Sequence, residues 1–79
     1  MWEPLITLEQ INEGSLIRQV ILDGNHQHDT NYKVSRIGEF YFFIRATTQN
    51  GRHFTEEQQI IIGYRVNHID YYGFEVWTE

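Results

Sequence analysis

Two histidines lie two residues apart in Asn25-His26-Gln27-His28-Asp29, a spacing that puts both imidazoles on one side of an extended backbone. Neutral imidazoles bind zinc, copper or nickel, and the Asp29 carboxylate can add an oxygen donor. His26 and His28 are therefore the candidate metal ligands. A tight site needs a third or fourth donor; another imidazole would have to come from His53 or His68, and nothing in the spacing brings either to this stretch. The plainer reading, and the preferred one, is a polar, mobile hairpin loop between Asp23 and Asn31.

Other chemistry is harder to assemble. Covalent catalysis needs a nucleophile beside a base, yet the two serines, Ser15 and Ser35, sit in no glycine-rich elbow and near no histidine in sequence. The adjacent acids Glu56 and Glu57 follow Thr55 at an expected helix start, where a carboxylate complements the helix dipole. No Gly-x-Gly phosphate loop is present, and the chain has no cysteine, so disulfides and thiolate zinc sites are both excluded. The expectation is a protein that is not an enzyme and carries no cofactor.

The elements that must present any site are few. Seventy-nine residues suit one domain, residues 1–79, with little margin between burial and ordering entropy. Twelve of them are Phe, Tyr or Trp; each buries on the order of 150–250 Å², so an aromatic core can hold a small fold. The formal charge is −5, which argues against direct binding to nucleic acid or to an anionic membrane surface. Met1-Trp2-Glu3-Pro4 lacks the cationic start of a secretory signal, and no apolar run approaches the roughly 20 residues of a membrane span. An intracellular, cytoplasmic protein is expected.

Thr7-Leu8-Glu9-Gln10 has the form of a capping box, with Ile6 and Ile11 placed as a hydrophobic staple and Gly14 as a stop. It predicts a short N-terminal helix. Strands are expected over residues 15–23, ended by the Asp23-Gly24 turn, and over residues 32–36. Residues 39–47 alternate four aromatics across both sides and should form a central strand covered on both faces. Asn50-Gly51 is the strongest hairpin signal, and Thr55-Glu56-Glu57-Gln58 starts a helix only one turn long. The last strands are expected over residues 59–67 and 71–78, with Tyr72, Phe74 and Val76 on one side and Tyr71, Glu75 and Trp77 on the other. The fold class is mainly β: a small five-stranded antiparallel barrel or bent sheet, SH3-like in general manner.

Twelve aromatics exceed what one small core readily hides. Tyr41, Phe43, Tyr71 and Trp77 are the candidate partner-binding residues, because such side chains combine large apolar area with a polar tip. Trp2 is either pinned against the sheet or offered with them. The expected function is a protein-protein interaction module that binds a protein partner or itself, including a small inhibitor of an enzyme, of the sort phages encode. The alternatives are a histidine-based metal-binding protein and an acidic mimic of nucleic acid. The mimic requires scattered carboxylates, among them Asp70, Glu75 and Glu79, to gather on folding.

Overall fold

The computed structural model describes residues 1–79 as seven antiparallel strands in one sheet. They are β1 (Trp2–Pro4), β2 (Leu16–Asp23), β3 (His26–Ile37), β4 (Tyr41–Gln49), β5 (Arg52–His53), β6 (Ile61–Arg65) and β7 (Phe74–Trp77). The ladder runs β1-β7-β2-β3-β4, and β4 then pairs with β6 along its first half and with β5 at its end. The expected β-rich antiparallel architecture is present, with seven strands rather than five. β1 and β5, three and two residues long, are too short to leave an alternation pattern. No ladder joins β6 to β7, so the sheet is open and not a closed barrel.

Alternation decides which side is buried. Phe42, Ile44 and Ala46 of β4, Tyr32 and Val34 of β3, Ile17 of β2, and Phe74 and Val76 of β7 all point to one face and form the core. The expectation that β4 is covered on both faces is corrected: only this face is packed, and Tyr41, Phe43 and Arg45 point the other way. Two irregular segments supply the second layer. Leu5 and Ile11 cover the core from the N-terminal side, and Ile69 covers it from a 3-10 segment, Val66–Tyr72.

The expected N-terminal helix is a single 3-10 turn, Leu8–Gln10. Its capping side chain behaves as foreseen, with Gln10 Oε1 accepting from the Thr7 amide at 2.9 Å. Ile11 then returns to extended backbone because its side chain belongs in the core. Glu56–Gln58 is likewise one 3-10 turn.

The Asp23–Asn31 stretch is not a loop. Asp23 pairs with His26, so the turn is only Gly24 and Asn25, and β3 continues through the histidines. The cross-strand pairs Val20↔Asp29 and Ile21↔His28 show why: eight residues of β2 offer ladder partners to the polar segment whatever its side chains. Asn50 and Gly51 both have positive φ, 51° and 80°, as a two-residue hairpin with the native twist requires. The expected strand over residues 59–67 is shorter, and residues 71–72 lie outside the final strand. A left-handed Gly73 (φ 73°) separates Tyr72 from β7.

The open side between β6 and β7 is filled by rings. Tyr64 lies edge-on to Phe74 at 5.1 Å and to Tyr72 at 4.7 Å. Phe42 stacks on Tyr64 from below at 5.8 Å. Burial raises the pKa of Tyr64, with Tyr72 beside it adding to the effect. Burial does the same to Tyr32, reinforced by Tyr64 and opposed by a hydrogen bond with Thr30.

Candidate binding surface

The face of the sheet opposite the core carries no second layer, and what it displays follows from the same alternation. On β4 the outward residues are Tyr41, Phe43 and Arg45. Tyr41 is 44% exposed, and its ring lies 6.4 Å from that of Phe43. On β6, Arg65 stands opposite Tyr41 and Gly63 opposite Phe43. The ring sits close over the glycine: a Cβ at residue 63 would fall 3.0 Å from Phe43 Cε1, so the ring would have to shift to admit one.

On the other side of β4, a bulge at Ser35 brings Arg36 opposite Phe43. Its guanidinium carbon sits over the Phe43 ring, 4.7 Å from the centroid, in the geometry of a cation–π contact. Open hollows flank the Tyr41/Phe43 strip. One of about 380 Å³ is lined by Phe40, Tyr41 and Arg65 among others. Another of about 270 Å³ is lined by Ser35, Arg36, Phe43 and Ile61.

Trp77 lies on the same face, also 44% exposed, but three strand spacings away on β7, or roughly 14 Å. Its neighbours are local. Trp2 of β1 meets it edge-on at 5.3 Å, and the Arg18 guanidinium covers Trp2 at 4.4 Å. Arg18 Nε also donates to Glu75 Oε1 at 3.0 Å. Trp2 is thus pinned to the sheet.

Of the four expected partner-binding residues, the structure brings Tyr41 and Phe43 together and places Trp77 in a second cluster on the same face. Tyr71 is elsewhere. It belongs to the 3-10 segment, not to a strand, and is 86% exposed beside Tyr72.

The surface also gathers basic residues that belong to no sequence motif. Arg18, Lys33, Arg36, Arg45 and Arg65 all take outward positions, leaving only Arg52 of the six basic residues off this face. The signal was present as period-two spacing: Lys33 alternates with Tyr32 and Val34, and Arg45 with Ile44 and Ala46. It reads as a face only once strand register aligns the rows.

His26 and His28 do share one side of β3, on the core-facing parity beyond the end of the core. His28 Nδ1 lies 3.4 Å from Asn50 Nδ2. His53 is on β5 and His68 in the 3-10 segment; no group of three or more histidine or carboxylate side chains converges anywhere. Of the carboxylates that the mimic alternative would need together, Glu75 is engaged by Arg18 on the sheet and Asp70 lies in the 3-10 segment. No helix is long and apolar enough to cross a membrane. No family model, curated protein or solved structure matches the chain.

Proposed function

We propose that this chain is a non-enzymatic protein-interaction module that holds a protein partner against the outer face of its sheet, with Tyr41 and Phe43 at the centre. One observation carries the reading: both covering segments, residues 5–11 and Val66–Tyr72, pack on the opposite face, leaving the Tyr41/Phe43 strip of a central strand without a covering segment. Exposed aromatic anchors beside arginine are the residue types that dominate binding energy at protein interfaces. An inhibitor of an enzyme fits the same surface, as does a cytoplasmic setting. Bending of the sheet in the general manner of SH3-like barrels would help by making the strip convex and accessible.

The test is a pair of substitutions, Tyr41→Asp and Trp77→Ser, used as baits in partner capture alongside the wild-type chain. Tyr41→Asp should abolish capture with the circular dichroism spectrum and melting temperature little changed. Loss of folding would instead make the ring a structural residue and remove the proposed surface. Trp77→Ser should weaken capture less, because its cluster lies at the far end of the face.

A further inference from the structure

We infer that the partner offered to this face is an acidic polypeptide segment, seated with its carboxylates over Lys33, Arg45 and Arg36. The inference rests on the protein-binding reading above and narrows it. Its basis is an imbalance of charge. The chain has eleven acids against six cations, yet the outer face gathers five of those cations, and the only ion pair in the structure is Arg18–Glu75.

Lys33 and Arg45 stand directly opposite one another across the β3–β4 ladder, the arrangement in which like charges destabilise a sheet. The other outward strand carboxylate, Asp29, accepts from Gln27 at 3.0 Å and lies four residues along β3 from Lys33, roughly 13 Å away. A fold with so many spare acids has left this pair uncompensated. An external carboxylate supplies the missing partner.

The rings favour a polypeptide over single-stranded nucleic acid. Stacking platforms for bases need open aromatic faces, whereas Arg36 stands over Phe43 and Arg18 over Trp2. Two of the four rings already carry a cation where a base would stack. A guanidinium laid on a ring turns its N–H edge sideways, as two-point carboxylate binding requires.

The experiment titrates labelled decaglutamate into the intact chain at low ionic strength, reading anisotropy and backbone amide shifts. Binding should perturb Lys33, Arg36 and Arg45, weaken with added salt, and weaken about tenfold or more in Lys33→Glu. Arg45→Gln serves as the second variant. No binding, or equal binding by Lys33→Glu and Arg45→Gln, overturns the inference; so does tighter binding of an oligothymidylate of equal charge. Capture experiments separate this from the broader reading. Loss of the partner with Tyr41→Asp but not with Lys33→Glu removes the acidic-segment inference and keeps the module, while loss with neither removes both.

Discussion

Lys33 and Arg45 face each other across neighbouring strands with no carboxylate bonded to either. Directly opposed like charges cost a sheet a few tenths to about 1 kcal/mol. Lys33→Glu should therefore raise stability by about 0.5–1 kcal/mol and lift the melting temperature by a few degrees for a domain of this size. Calorimetry decides it: an unchanged or lowered melting temperature would mean that the two charged heads already diverge into solvent.

Phe42 has no solvent exposure and touches the ring systems of Tyr64, Tyr72 and Phe74 at 5.8, 6.4 and 6.3 Å. Its removal leaves a cavity under the rings that fill the open side of the sheet. Phe42→Ala should cost about 3–5 kcal/mol, comparable to the whole stability of a small domain. Urea unfolding measures the loss, and a cost below about 2 kcal/mol would show that the neighbouring rings collapse into the space.

Gly63→Ala places a methyl group 3.0 Å from Phe43 Cε1. The ring is half-exposed and can swing away, so the fold should survive at a cost of about 1 kcal/mol. What changes is the contact with Arg36. The upfield ring-current shift of the Arg36 side-chain protons should shrink, and retention of the wild-type shift would show that the ring has not moved.

Alkaline pH should weaken the fold through Tyr32 and Tyr64, whose pKa values are both raised by burial. Raised values mean that the folded state keeps these protons where the unfolded chain releases them. The stabilisation is complete below the ordinary tyrosine value of 10.0 and is lost as pH climbs from there through the raised values. Denaturant midpoints measured upward from neutral pH should fall once pH passes about 10, and Tyr64→Phe should flatten that fall. An identical decline in Tyr64→Phe would assign it to other groups.

The alternation of the aromatics Tyr41, Phe42 and Phe43 was readable along the chain, though not which side packs, and so were the Asn50-Gly51 turn and the Thr7–Gln10 capping box. These are local: each depends on residues within a few positions. Extension of β3 through His26 was not readable, because its strand character comes from pairing with Val20 and Ile21. Nothing in Gln27-His28-Asp29 itself favours a strand. The surface divided in the same way. Tyr41 and Phe43 sit on one strand and could be foreseen together, whereas the Lys33–Arg45 pair depends on register across a bulge. Tyr71 misled because an apolar alternation running from residue 71 into β7 conceals the left-handed turn at Gly73.

Arg65 shows how the open edge of the sheet is limited. Val66 donates to Phe40, so Tyr64 and Ile62 also bond inward to β4, and Ile61, Gly63 and Arg65 turn their amides outward. The Tyr72 hydroxyl accepts from the Arg65 amide at 3.2 Å, which leaves Ile61 and Gly63 as the only full donor-acceptor positions on that rim. Fibril growth needs a run of some six residues to template each incoming strand. With two positions available, the isoleucine-rich rim is sticky without being a seed, and the tyrosine that fills the gap in the sheet also caps its growing end.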